Sequence, residues 1–210
     1  MNRSKKRIVT IVDKLGVELV ALSHSIHGKP EPSFEEYFAC DALATFLARH
    51  GFDVKTGIGS LQTAFIAECK GSENGPHIAF LAEYDALPVI GHGCGHNLIS
   101  AMSAGAGIAL SSFVDELGGK VSVIGTPGEE TRGGKIGLLE EGVFDGVDFA
   151  LMVHPTSGPN MIMRSARACT SLFVNFRGVS AHSSKPERGI NALSAVMSTF
   201  QNIDTLRSVF

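Results

Sequence analysis

The segment from His77 to Tyr84 is the part of the chain that most constrains its fold. It is nearly continuously apolar, as expected for a strand that is covered on both of its faces. Strands of this kind are typical of parallel sheets, because the crossover connections between parallel strands place helices against the sheet. The segment therefore predicts a buried strand within an α/β domain.

Helix-like and strand-like segments alternate around this strand. Apolar spacing and turn residues predict helices over residues 5–27, 33–50, 97–113 and 134–141, with Ser33 capping the second of them. Further strands are predicted over residues 52–56, 63–68, 120–125 and 147–153. This alternation predicts an α/β fold with a mostly parallel sheet flanked by helices. In such sheets, functional residues gather beyond the carboxyl ends of the strands.

The sequence pattern changes near residue 160. Residues 161–168 and 169–176 alternate like a pair of strands, residues 178–187 form a polar loop, and residues 189–210 have the spacing of an amphipathic helix. We therefore predict one α/β domain over residues 1–162 and the beginning of an α+β domain over residues 163–210.

Composition excludes several classes of partner. The chain is 44% hydrophobic and 19% charged with a net charge of -3, so no broad basic surface indicates binding to nucleic acid. No apolar run reaches the roughly 18 residues that a membrane-spanning helix needs. The basic start of the chain is followed by charged residues rather than by the apolar core of a signal peptide. These features predict a cytoplasmic protein that binds neither nucleic acid nor membrane.

Residues with metal-binding chemistry follow three of the predicted strands. Cys94 and His96 come after the strand at 77–84, Glu129 and Glu130 come after the strand at 120–125, and His154 comes after the strand at 147–153. Thiolate, imidazole and carboxylate groups are the donors that zinc-like metals prefer. Because parallel strands end at one edge of a sheet, these residues together predict a metal site.

The adjacent pair Glu129 and Glu130 fits hydrolytic chemistry. Neighbouring residues in extended backbone point in different directions, so one carboxylate can hold a metal while the other faces water. A metal lowers the pKa of the water that it binds, and a neighbouring carboxylate can accept the proton of that water. This combination is suited to hydrolysis of an unactivated carbonyl such as an amide.

Three other residues have weaker links to this chemistry. Asp85 is either a ligand or an acceptor that orients His96, and we favour the second role. His92 is an alternative ligand beside Cys94. His182 lies in the polar loop of the second domain, where a histidine can donate a hydrogen bond to an oxyanion.

These motifs resemble those of a family of dinuclear metallopeptidases and amidohydrolases. The family includes aminoacylases, auxin-conjugate amidohydrolases and p-aminobenzoyl-glutamate hydrolase, and the likeness is closest to the branch that contains the Xaa-Arg dipeptidases. The matching stretches are residues 82–88, 91–97, 125–130, 153–155 and 176–193.

The resemblance implies roles for particular residues. The implied metal ligands are Cys94, His96, Glu130 and His154, and they would hold two divalent ions of zinc, manganese or cobalt. Glu129 would be the general base. His182 would reach the substrate carbonyl from a lid domain, usually in the partner subunit of a homodimer. The substrate would be an N-acyl-amino acid or a dipeptide-like amide.

The chain also departs from the family. Family members are roughly twice its length, and their catalytic domain resumes after the lid and brings one more histidine ligand. We therefore expect this 210-residue chain to be a fragment that is poorly active on its own. Two alternatives are a catalytically inactive relative that binds small ligands or dimerises, and a thiol protein that uses Cys94 as its nucleophile. The second leaves Glu129, Glu130 and His154 unexplained.

Overall fold

The chain divides into two compact units, Met1–Gly158 and Pro159–Phe210. The computed structural model describes residues 3–162 and 172–208. The first unit contains a sheet with helices packed against it, and the second contains one longer helix and short turns. The predicted domain boundary between residues 162 and 163 stays a prediction.

The first unit contains five of the described helices. They are α1 (Arg3–His27), α2 (Tyr37–Arg49), α3 (His96–Ser111), α4 (Val114–Leu117) and α5 (Gly134–Glu140). The longest, α1, buries Leu15, Leu22 and Ile26 on one face, as its amphipathic spacing predicts. Among the described residues, no helix is both long enough and apolar enough to cross a bilayer.

The first unit also contains a five-stranded sheet. Its strands are β1 (Asp53–Thr56), β2 (Phe65–Lys70), β3 (His77–Ala82), β4 (Lys120–Gly125) and β5 (Phe149–Leu151). The order across the sheet is β1-β2-β4-β3-β5, which places β3 between β4 and β5. The predicted α/β class is confirmed.

The sheet is parallel on one side and antiparallel on the other. Strand β3 pairs in parallel with both β4 and β5, whereas β2 pairs antiparallel with both β1 and β4. The connection from β1 to β2 covers only residues 57–64, which suits a hairpin and is too short for a parallel crossover. The parallel arrangement thus applies to the three strands that lead to the candidate ligands.

The predicted cap of the second helix is wrong. Helix α2 begins at Tyr37, and the hydroxyl of Ser33 donates instead to Oδ2 of Asp85 at 2.8 Å. The carboxylate of Glu31 takes over the capping function, because its Oε1 accepts from the backbone N–H of Phe38 at 3.0 Å.

The described part of the second unit is mostly exposed. It contains a short 3₁₀ turn at Pro186–Arg188, helix α6 (Ala192–Asp204) and a second 3₁₀ turn at Thr205–Ser208. Helix α6 begins later than predicted because the side chain of Asn191 caps it and accepts from the N–H of Leu193 at 2.9 Å. The predicted strand pair at 161–176 falls largely on residues 163–171, outside the described residues, and residues 172–176 are not in a strand.

The core of the first unit lies between the sheet and helices α1, α2 and α3. Its largest fully buried members include Ile26, Leu43, Leu47, Phe65, Tyr84 and Val123. Burying side chains of this size contributes roughly 1.5–3 kcal/mol each. This core fixes the sheet against α3, and so fixes the carboxyl ends of β3, β4 and β5.

The buried histidine His77, at the start of β3, predicts a pH-dependent stability. Its Nδ1 lies 3.2 Å from the Gly146 carbonyl oxygen and its Nε2 lies 2.7 Å from Oγ of Ser122, so the ring is satisfied in its neutral form. Burial and then the charge of Lys120 lower the pKa of His77. The unfolded chain therefore binds the proton more readily than the folded chain does. The free energy of unfolding should fall as the pH drops below about 6.5, by at most about 1.4 kcal/mol per pH unit.

Denaturant unfolding across this pH range tests the prediction. We expect His77→Gln to flatten the slope of the unfolding free energy against pH, because it removes the group that gains a proton on unfolding. A slope in His77→Gln equal to that of the wild type would contradict it.

Candidate active site

The candidate ligands lie beyond the carboxyl ends of three neighbouring strands. Asp85 follows β3, the pair Glu129 and Glu130 follows β4, and His154 follows β5. Helix α3 begins with His96, so its first turn lies at the same edge of the sheet. The parallel pairing of β4, β3 and β5 thus brings together residues that are far apart in sequence.

His96 is buried with one nitrogen satisfied and the other without a partner. Only 1% of its side chain is exposed. Its Nδ1 lies 2.9 Å from the carbonyl oxygen of Asp85 and 3.0 Å from Oδ1 of the same residue. Because a carbonyl oxygen can only accept, Nδ1 carries a proton, and in the neutral ring the lone pair is therefore on Nε2. That Nε2 atom is buried and has no hydrogen-bond partner.

Three carboxylates surround this free nitrogen. Nε2 of His96 lies 3.4 Å from Oε2 of Glu83, 3.7 Å from Oε1 of Glu130 and 3.9 Å from Oε2 of Glu129. Oε2 of Glu83 is also buried without a hydrogen-bond partner. Gathering negative charges around a lone pair in a buried position is costly unless a cation lies between them. The arrangement therefore fits a divalent metal ion.

His154 adds a second imidazole. Its Nδ1 lies 2.6 Å from the carbonyl oxygen of Pro155, so its Nε2 carries the free lone pair. Its ring lies edge-on to that of His96, with 6.0 Å between the ring centroids. The donor atoms form two sets, and within each set all atoms lie within 4.8 Å of one another. One set belongs to Glu83, His96 and His154, and the other to His96, Glu129 and Glu130. Nitrogen and oxygen donors in these numbers match catalytic metal sites.

Cys94 lies beside Glu130 and is protonated in the absence of a cation. A hydrogen bond with Glu130, followed by burial and the charges of Glu130 and Glu129, raises the pKa of Cys94 to about 11. A reactive cysteine needs a thiolate at neutral pH, so these surroundings argue against Cys94 as a nucleophile. A bound cation reverses the effect, because metal ligation requires and favours the deprotonated thiol.

Asp85 holds three parts of the site in place. Besides His96, its carboxylate accepts from the hydroxyl of Ser33 at 2.8 Å and from the backbone N–H of Glu130 at 3.0 Å. Burial alone raises the pKa of Asp85, but the hydrogen bonds from His96, Glu130 and Ser33 lower it to about 2. Asp85 is therefore ionised, and it fixes both the ring of His96 and the backbone that carries Glu130.

Asp85→Asn should weaken the binding of divalent ions about 10- to 100-fold, since outer partners of metal-ligating histidines typically contribute this much. The amide removes one acceptor and places an NH₂ group against the N–H donors of His96 or Glu130. Competition with a chromophoric chelator measures the affinity. Ser33→Ala is the matched control, because it removes only a donor to the same carboxylate. Equal affinities of Asp85→Asn and the wild type would refute this role for Asp85.

Glu129 differs from Glu130 in its surroundings. Its side chain is 41% exposed, whereas that of Glu130 is 19% exposed. Burial and then the negative charge of Glu83 raise the pKa of Glu129. A carboxylate that is accessible and has a raised pKa is better suited to accept and return a proton than one with its ordinary pKa.

Two glycines permit the close approach of the loops. Gly95 has φ of +77°, and a Cβ there would lie 3.0 Å from Cγ of Pro155, next to His154. Gly128 has φ of +69°, and a Cβ there would lie 2.3 Å from the ring of Phe34. Only glycine accepts both the positive φ and the absence of space.

His92, the alternative ligand, lies outside both sets of donor atoms among the described residues. Its ring is 6.0 Å from that of His27, and neither of its nitrogens makes a hydrogen bond of normal geometry. Both rings line a cavity of about 700 Å³ that also reaches Cys94 and His154. The cavity places a substrate-sized space beside the candidate metal ligands.

His182 lies in the second unit and is exposed. Its Nδ1 accepts from the backbone N–H of Ser184 at 3.2 Å, so in the neutral ring the proton is on Nε2. Nε2–H is then available as a donor, which is the form that stabilisation of an oxyanion requires.

Sequence reasoning missed Glu83 and its partner Lys135. Glu83 is 2% exposed, and its Oε1 accepts a hydrogen bond from the ammonium group of Lys135 in α5. The available signal was an acidic residue inside an apolar run, because buried carboxylates are rare unless they are paired or bind a metal.

Comparison with known proteins shows similarity to a family of peptidases. The family model for peptidase family M20/M25/M40 matches residues 79–201. The Xaa-Arg dipeptidase of Mus musculus is 37% identical over 97% of this chain and 50% of its own length. One subunit of the p-aminobenzoyl-glutamate hydrolase of Escherichia coli is 36% identical over 83% of this chain and 40% of its own length. The chain thus spans about half the length, or less, of these curated relatives.

A solved structure resembles part of the fold. A Bacillus subtilis protein, described as a dinuclear metal-binding peptidase of the M20 family, superposes with a TM-score of 0.60 at 31% identity. The match covers 66% of this chain and 42% of the other.

Proposed function

The chain belongs to peptidase family M20/M25/M40, and from this premise we propose that it hydrolyses an amide bond in a dipeptide-like or N-acyl-amino acid substrate with the help of divalent metal ions. The observation that carries the proposal is the buried Nε2 of His96, which has a free lone pair and faces three carboxylates. The names of the relatives support the substrate class, since one is a dipeptidase and another hydrolyses p-aminobenzoyl-glutamate.

The proposed metal ligands are Cys94, His96, Glu130 and His154. A donor set with one thiol, two imidazoles and a carboxylate suits zinc, manganese or cobalt. We propose two ions, in keeping with the dinuclear Bacillus subtilis relative. When bound, such ions act as Lewis acids that lower the pKa of water and polarise a carbonyl group.

Glu129 is the proposed general base. Its carboxylate accepts a proton from the attacking water, whose oxygen forms the new bond to the carbonyl carbon. When the bond from carbon to nitrogen breaks, Glu129 returns that proton to the leaving amine. The raised pKa of Glu129 supports both transfers, because it reduces the difference in proton affinity between the carboxylate and its partners.

His182 is the proposed oxyanion donor. Nε2–H is the free donor of its neutral ring, since Nδ1 is already engaged with Ser184. We propose that the region beyond residue 162 acts as a lid that also forms a homodimer, and that His182 reaches the substrate carbonyl in the partner subunit. A cytoplasmic location completes the proposal.

Hydrolysis assays after metal exchange test this function. The chain is stripped with a chelator, reloaded with zinc, manganese or cobalt, and incubated at high concentration with a panel of dipeptides and N-acyl-amino acids. We expect slow release of free amine that stops on chelation and returns on reloading. Release that persists without metal would contradict the proposal. Bound metal without release from any member of the panel would favour the inactive, ligand-binding relative.

A further inference from the structure

We propose that Glu83 is itself a metal ligand, and that it holds one divalent ion together with His96 and His154. The inference rests on the metal site of the proposed function and extends it, because neither the sequence motifs nor the family resemblance assigns a role to Glu83. Its carboxylate immediately follows β3, at the edge of the sheet where the other candidate ligands lie.

The first argument is the position of a free carboxylate oxygen. Oε2 of Glu83 is buried without a hydrogen-bond partner and lies 3.4 Å from Nε2 of His96, which is also buried without one. A donor atom of His154 lies within 4.8 Å of both. In the neutral form of the His96 ring, the lone pairs of Nε2 and of the Glu83 oxygen repel each other, whereas a cation between them satisfies both.

The second argument is the balance of charge. The ammonium group of Lys135 pairs with Oε1 of Glu83 and leaves Oε2 free. The side chain of Glu83 is 2% exposed, so water does not satisfy the second oxygen. Lys135 is a partner for only one oxygen of this buried carboxylate, and a metal ion would be the partner of the other oxygen.

The third argument is the distribution of the remaining donors. The thiol of Cys94 makes a hydrogen bond with Glu130, whose Oε1 also lies 3.7 Å from Nε2 of His96. Two ions have two groups of donors available, with Glu83, His96 and His154 in one group and Cys94 and Glu130 in the other. Without Glu83, the first group contains only the two imidazoles and no anionic ligand.

A purely structural role for Glu83 makes different predictions. If Glu83 only anchors α5 through Lys135, removal of either partner should have the same effect on the protein. If Glu83 binds a metal, the two changes should have different effects on metal affinity. Lys135→Met retains the carboxylate and removes a competing positive charge, so it should leave metal affinity unchanged or increase it.

Metal titration of the full chain distinguishes these cases. Wild type, Glu83→Gln and Lys135→Met are titrated with zinc by competition with a chelator, and the visible spectrum is recorded after loading with cobalt. We expect Glu83→Gln to weaken one ion about tenfold or more and to change the cobalt spectrum. We expect Lys135→Met to bind that ion at least as tightly as the wild type.

Three outcomes would overturn the inference. Equal zinc affinities and cobalt spectra in Glu83→Gln and the wild type would remove Glu83 from the ligands and leave the proposed function intact. Weaker zinc binding by Lys135→Met would assign the effect to the ion pair, and this result holds even if Glu83→Gln fails to fold. A wild-type chain that binds no metal would overturn both the inference and the proposed function.

Discussion

Glu129→Gln is expected to lower the rate of amide hydrolysis about 10²- to 10⁴-fold, the usual contribution of a general base, and to leave the bound metal in place. Glutamine has the size of glutamate but cannot accept a proton from water. The substitution does not change the neighbouring Glu130, which is the proposed ligand and whose backbone N–H donates to Asp85. The effect should therefore fall on kcat rather than on metal content or folding.

A matched surface variant makes the test of Glu129 specific. Glu140→Gln changes an exposed carboxylate of α5 outside both sets of candidate donor atoms, and it should retain the wild-type rate. Rates and metal contents are measured on the same preparations, with substrate in excess. Glu129→Gln with the rate of the wild type would remove Glu129 from the role of base. A variant that loses its metal together with its activity would show that Glu129 acts as a ligand.

The second large effect concerns thermal stability. A ligand that binds only the folded chain stabilises it by about 2.7 kcal/mol at 100 times its Kd. For a chain of this length that corresponds to a rise in Tm of roughly 5–11 °C. His96→Ala should abolish the rise, because Nε2 of His96 is the donor shared by both sets of candidate ligand atoms.

Calorimetry with and without added zinc measures this rise. His24→Ala, a change to an exposed histidine of α1 outside both sets of donor atoms, is the control and should keep the full rise. The comparison uses the change in Tm on adding metal, since loss of the buried His96 ring also lowers the stability of the metal-free chain. A zinc-induced rise in His96→Ala equal to that of the wild type would place the ion elsewhere.

The positions of the candidate ligands were largely predictable from sequence. Cys94, His96, Glu129, Glu130 and His154 each follow an apolar strand, and strands that run in parallel must end at one edge of a sheet. The order of β4, β3 and β5 was not needed for this prediction. The sequence predicts that these donors gather, and the structure brings His96, Glu129, Glu130 and His154 into the two sets of donor atoms, whereas Cys94 lies in neither set among the described residues.

The role of Glu83 could not be predicted in the same way. It lies within the apolar run that predicts a strand through Tyr84, whereas β3 ends at Ala82. Whether an acidic residue at such a position is exposed or buried depends on what the following loop covers, which is a property of the folded chain. Periodicity does not contain this information.

Local sequence patterns also did not predict the structure where a residue or strand that is distant in sequence is the interaction partner. Ser33 has the sequence context of a helix cap, but the hydroxyl donates to Asp85, which is 52 residues away in sequence. The antiparallel pairing of β2 with β4 has the same origin, because long-range contacts rather than local propensity determine which strands pair. Both departures lie next to the candidate site, where interactions between separate segments dominate.

Counting the metal ions bound by the purified chain tests the central claim most directly. Mass spectrometric metal analysis is applied to the wild type, Cys94→Ser and His154→Ala after loading with zinc and removal of excess metal. The account predicts about two ions per wild-type chain, as in the dinuclear Bacillus subtilis relative, and a loss of bound metal in each variant. A wild-type chain without metal, or a metal content that is unchanged in both variants, would contradict it.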